Sequence, residues 1–154
     1  MRWRLIGSGL KAKVYGKEGF PWALKIGPIE DSWLKYADWA LQNPNEYAPK
    51  IRRVRYVNVP NQKSKNYVAL VERCSVLLRR HDDCSLVAWW YDNIGTKMQN
   101  FTENNVIDEK FSGLHSFLNS LRQIATRDRL EFDLHDENVM FRKDGSLCII
   151  DPFF

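Results

Sequence analysis

Apolar and polar residues alternate in short bursts along the first part of the chain. "WRLIGSGL" and "AKVYGK" read as two strands, over residues 3–10 and 12–17, joined at a glycine turn. "GFP" makes a second turn and "WALKIG" a third strand, so the chain opens as an antiparallel meander. The period then lengthens. In "EDSWLKYADWALQNP", Trp33, Leu34, Ala37, Ala40 and Leu41 share one helical face, with Asp31 or Ser32 placed as N-cap and Pro44 beyond the end. "KIRRVRYVNV" sets Ile51, Val54 and Tyr56 among polar positions, "NQKSKN" is a polar turn, and "YVALVERC" is a buried strand.

The second half changes character. "SVLLRR" predicts a short helical or turn segment and "QNFTENN" a loop, while "LVAWWYDNIGTKM" fits neither period. Over residues 112–126, Leu114, Phe117, Leu118, Leu121 and Ile124 form one stripe, the mark of an amphipathic helix. "VMFR" and "LCII" are strands joined by "KDG", whose glycine supplies the backbone freedom of a tight hairpin. The expected class is α+β: a five-stranded antiparallel sheet with one helix over 1–73, then a reduced, mainly helical part carrying a hairpin over 74–154.

Composition narrows the classes without choosing one. At 154 residues the chain has the length of one domain with its own core. Hydrophobic residues at 44% and charged residues at 27% exclude a disordered chain, and no apolar run reaches the length of a membrane span. The opening "MRWRLIGSGL" is too short and polar for a signal peptide, so a cytoplasmic location is expected. Cys74, Cys84 and Cys148 lack a CxxC spacing and read as reduced thiols. The net charge of +4 is mild, and "KIRRVRYVNVPNQKSK" reads as a strand with a solvated face rather than as a nucleic-acid contact, since aromatic residues do not interleave there.

Three features carry candidate chemistry. Gly7, Ser8 and Gly9 form a turn where backbone amides can approach a phosphate, and Val14 follows where a strand residue could cover a purine. Most such turns are ordinary hairpins. Lys25 lies on the same strand face as Ala23, in an apolar setting where an ammonium needs a partner. Asp133 and Asn138 in "DLHDEN" precede the terminal hairpin, and Asp151 ends it, so the hairpin returns Asp151 beside them. Singly, each suits a turn or cap. Together they offer one possible base and two hard oxygen ligands of the kind Mg²⁺ takes.

In this order the residues resemble the protein-kinase-like superfamily over nearly the whole chain. The pattern G-x-G-x-x-G-x-V is matched by Gly7, Gly9, Ala12 and Val14, and V-A-I-K by "WALK" with Ala23 and Lys25. D-L-x-x-x-N is matched from Asp133 to Asn138, and the D-F-G aspartate by Asp151 in "IIDPF". The resemblance implies ATP and Mg²⁺ as cofactors. Lys25 would neutralise α/β-phosphate oxygens, Asn138 and Asp151 would hold Mg²⁺, and Asp133 would accept a hydroxyl proton. Backbone groups near Glu72, Arg73 and Cys74 would meet adenine.

The departures are specific. Ala12 replaces the third glycine; Glu131 and Phe132 replace the histidine and arginine before the catalytic aspartate; His135 replaces the catalytic-loop lysine and would contact the transferring phosphate; Pro152 stiffens the D-F-G position. The helix after Lys25 has no glutamate, and Asp38 at the border of its apolar face is the expected ion-pair partner, with Glu30 and Asp31 as alternatives. Only three residues follow Asp151, far fewer than the usual helical substrate lobe, and Phe153 and Phe154 are expected to hold that end in apolar surface. Missing helices would favour a homo-oligomer or a docked protein. The expected activity is phosphoryl transfer to a protein Ser/Thr hydroxyl. A pseudokinase-like module that binds nucleotide or a regulated protein without turnover, and a small-molecule kinase, are the competing readings.

Overall fold

The computed structural model describes residues 2–58, 60, 64–76, 112–134 and 138–154. Two compact units are present: Met1–Pro44 with Pro49–Arg73, and Asn45–Ala48 with Cys74–Phe154. The class is α+β; among the described residues are a five-stranded antiparallel sheet and two helices.

The first unit holds β1 (Arg4–Ser8), β2 (Lys13–Gly16), β3 (Trp22–Pro28), α1 (Trp33–Gln42), β4 (Ile51–Asn58) and β5 (Lys65–Glu72). The strands lie in the order β1-β2-β3-β5-β4. Period-two burial is sharp in β3, where Ala23, Lys25 and Gly27 are buried, and in β5, where Tyr67, Ala69 and Val71 are. The antiparallel register joins these residues into rows, with Gly27 opposite Tyr67, Lys25 opposite Ala69 and Ala23 opposite Val71. The helix α1 buries Trp33, Leu34, Tyr36, Ala37 and Ala40, and sets the Trp33 ring against Tyr67 and Lys25 of this face. The expected stripe needs one correction: Leu41 is 46% exposed, while Tyr36 is fully buried and stacks on Trp39. Leu41 lies in the last turn of α1, and Tyr36 flanks the stripe on the side where an aromatic neighbour is available.

The second unit holds β6 (Ser75–Val76), α2 (Ser112–Asp128), β7 (Val139–Phe141) and β8 (Leu147–Ile149), with the three strands in the order β6-β7-β8. The predicted stripe of α2 is its core: Leu114, Phe117, Leu118, Leu121 and Ile124 are each at most 4% exposed. Arg129 ends the helix in a left-handed conformation (φ 56°), and the Leu130 amide donates back to the Ala125 carbonyl at 2.9 Å. Ser75 and Val76 are strand rather than the helix or turn expected of "SVLLRR", because Phe141 and Met140 offer a ladder that a local window cannot reveal. The rest of that segment, and "LVAWWYDNIGTKM", lie outside the described residues. In the hairpin, Gly145 takes φ 83°, as its turn requires.

Among the described residues no helix is long and apolar enough to cross a membrane. No disulfide joins the described cysteines; Cys74 is half-buried and Cys148 buried.

Candidate functional site

The C-terminal residues fold back on the segment that carries Asp133. The Phe154 amide donates to the Glu131 carbonyl at 2.9 Å, and the Asp133 amide to the Pro152 carbonyl at 2.8 Å. Between these, Phe132 and Phe153 pair as an antiparallel bridge and meet edge to face at 5.8 Å. Phe153 is buried as expected, but Phe154 is 52% exposed and is held through its backbone instead. One residue before Pro152 stands Asp151, half-buried.

Asn138 completes the cluster. Its Nδ2 donates to the Asp133 carbonyl at 2.7 Å and approaches Asp133 Oδ2 at 3.2 Å. Its carbonyl accepts from the Ile150 amide at 2.8 Å. Asp133, Asn138 and Asp151 are thus tied together through their own backbones, as the hairpin reading requires. The amide geometry also divides Asn138's atoms: Nδ2 serves Asp133, and Oδ1 is the oxygen of the type that a hard cation takes. With two carboxylates and an amide oxygen, the donor set is hard and fits Mg²⁺. His135 lies outside the described residues.

Arg142 braces this hairpin. Its guanidinium donates to the carbonyls of Glu46 (2.7 Å), Ala48 (2.7 Å) and Leu147 (2.9 Å). The Ile149 amide donates to the Tyr47 carbonyl at 2.8 Å, so the segment Asn45–Ala48 lies along β8. Nothing in the local pattern of "MFRKDG" marks this arginine, because two of its three acceptors, at Glu46 and Ala48, are almost a hundred residues earlier in the chain. Burial, and then the Glu46 carboxylate, hold the Tyr47 hydroxyl above its ordinary pKa of 10.0. In the turn, Asp144 accepts from the Ser146 hydroxyl and amide, which lowers its pKa below the ordinary carboxylate value.

In the first unit the candidate residues share one row. Gly7 pairs with Val14, Val14 with Lys25, and Lys25 with Ala69; Gly16 pairs with Ala23 in the adjacent row. Directly opposed residues project to the same side of a sheet, so Val14, Ala23 and Lys25 share a face. The glycine turn is tight: the Gly9 amide donates to the Ala12 carbonyl at 2.9 Å and is therefore used within the hairpin. Ser8 is exposed. The amides of Glu72 and Arg73 are also engaged, by the carbonyls of Lys50 (2.8 Å) and Pro21 (3.0 Å), and the Glu72 carboxylate accepts from the Lys50 amide at 3.0 Å. Neither amide is therefore available to an adenine edge.

Lys25 is 6% exposed, and its Nζ lies 4.6 Å from the centroid of the Trp33 ring. The expected pairing with Asp38 is overturned: Asp38 is exposed, and among the described residues it makes no hydrogen bond or ion pair. Helical geometry turns position 38 away from the face that carries Trp33, Ala37 and Ala40. Asp31 is the buried acid of this region, but it bonds elsewhere. Its Oδ2 accepts from the Tyr67 hydroxyl at 2.6 Å and its Oδ1 from the Trp33 amide at 3.1 Å. Sequence reasoning missed Trp33 as more than a core residue; its signal was only its place at the start of α1.

No protein-family model matches the chain, and no curated protein matches it in sequence.

Proposed function

We propose that the protein is a protein-kinase-like, ATP- and Mg²⁺-dependent phosphotransferase acting on a protein Ser/Thr hydroxyl. The observation that carries this reading is the Asp133–Asn138–Asp151 cluster. Asn138 is bonded to Asp133 at two atoms, and the hairpin delivers Asp151 alongside. Mere turn or cap residues would not need all three in one place.

Mg²⁺ held by Asn138 and Asp151 would supply charge neutralisation on the phosphates. Asp133 accepts the proton of the attacking hydroxyl. The Asn138 amide, donating to Oδ2, fixes the direction in which that carboxylate receives it. Lys25, on the face shared with Val14 and Ala23, supplies positive charge for phosphate oxygens, while Val14 and Ala23 offer apolar cover for a base. Little covalent chemistry is asked of the chain, so positioning and electrostatics suffice.

The test is incubation with γ-labelled ATP and Mg²⁺, alone and with a cell lysate, for the wild type and Asp133→Ala. Transfer that is lost in the variant supports the enzyme. Nucleotide-dependent thermal stabilisation without transfer would replace it by a binding module, and neither transfer nor stabilisation would remove the nucleotide from the reading.

A further inference from the structure

The sheet of the first unit has a second face. The one that carries Tyr67 and Lys25 meets Trp33 of α1. The opposite face is built from the alternate residues of the same strands. Register lays two rows across it. Lys13 opposes Ile26, Ile26 opposes Val68, and Val68 opposes Arg55. In the next row Tyr15 opposes Leu24, Leu24 opposes Leu70, and Leu70 opposes Arg53. Opposed residues project to the same side. The central aliphatic residues are half-buried, whereas Lys13, Arg53 and Arg55 are exposed. A strand with one wetted face alternates apolar with polar residues, but "WALKI" and "VALV" in β3 and β5 are apolar on this face too. Neither row contains an acid, and among the described residues Lys13, Arg53 and Arg55 make no ion pair or side-chain hydrogen bond.

We propose that this face is a docking site for an acidic amphipathic helix of a partner protein. Its apolar stripe lies on the aliphatic panel, and its carboxylates reach Lys13 on one flank and Arg53 and Arg55 on the other. The width suits a helix. From β2 to β4 the order β2-β3-β5-β4 spans three interstrand gaps, about 14 Å, and a helix with its side chains is about 10–12 Å across. The charge selects the partner. A second copy docking by the same face would set cation against cation. Nucleic-acid bases need aromatic platforms, and the centre of this panel is aliphatic. A membrane surface takes apolar residues that protrude, and here the apolar residues are less exposed than the cations around them. The docking is independent of the phosphotransferase reading.

The probe is a dye-labelled helical peptide of about 18 residues, with leucines on one stripe and glutamates on both flanks. Its binding to the full chain is followed by fluorescence anisotropy. The wild type should bind it about tenfold more tightly than a scramble of the same composition, which keeps the charge and loses the stripe. Affinity should fall as salt is raised. Arg53→Glu with Arg55→Glu changes two exposed positions of β4 and should weaken binding about tenfold. A peptide carrying lysines in place of the glutamates should recover affinity on that variant. Val68→Thr, which keeps the strand's branched shape, should weaken binding about threefold in a protein whose melting temperature shows it folded. Equal affinity for the peptide and its scramble overturns the proposal, as does an arginine variant that binds like the wild type. Tighter binding of single-stranded DNA or of phosphatidylserine vesicles than of the peptide, lost in the arginine variant, also overturns it.

Discussion

Asn138 grips Asp133 at two points, its carbonyl at 2.7 Å and its carboxylate at 3.2 Å, from five residues further along the chain. The same residue receives the Ile150 amide on its own carbonyl, so one side chain and its backbone connect Asp133 to the segment between β8 and Asp151. The consequence is a division of labour. Asp151→Asn should weaken Mg-ATP binding more than Asp133→Asn does, because in the proposed function Asp151 holds the metal and Asp133 receives the proton. Titration calorimetry with Mg-ATP checks this, and equal losses in the two variants would count against the assigned roles. Asn138→Ala should reduce both binding and transfer.

Arg142 ties three carbonyls from separate parts of the second unit to one guanidinium. Arg142→Ala should cost about 2–3 kcal/mol in urea denaturation, since charge-assisted bonds are lost and acceptors are left unmet. Arg142→Lys should recover only part of that, because an ammonium cannot reproduce the planar fork.

Gly27→Ala forces a methyl against the Tyr67 ring and the Asp31 carboxylate. The expected loss is about 1–3 kcal/mol of stability, read from the denaturation midpoint.

Tyr47 binds its proton more tightly when folded than when unfolded. Its contribution to stability is therefore full below the unfolded value of 10.0 and is lost as pH rises through the folded value. Thermal melts from pH 8 upward should show a fall above about pH 10 that is smaller in Tyr47→Phe. Identical falls in both proteins would contradict the cause assigned here.

Arg129 occupies a left-handed position (φ 56°) at which glycine bears no steric penalty. Arg129→Gly should raise stability by about 0.5–1 kcal/mol, measured by denaturation. A loss instead would show that the arginine side chain outweighs its backbone strain.

Periodicity alone was enough for the elements that bury one face. The stripe of α2 and the alternation of β3 and β5 are visible because each buried residue is spaced by the geometry of its own backbone. The same holds for the terminal hairpin, where the KDG turn and two short apolar runs fix a register that must return Asp151 towards Asp133. Sequence could not choose what stands beside Lys25. A search for a charge pointed to Asp38, whereas the structure sets an indole 4.6 Å from its Nζ, stacked on Tyr67, a residue brought there by strand pairing. The bracing by Arg142 and the strand at Ser75 were equally hidden, since their partners are distant along the chain. Local pattern determines which way a side chain points relative to its own element. Only tertiary structure decides what it meets there.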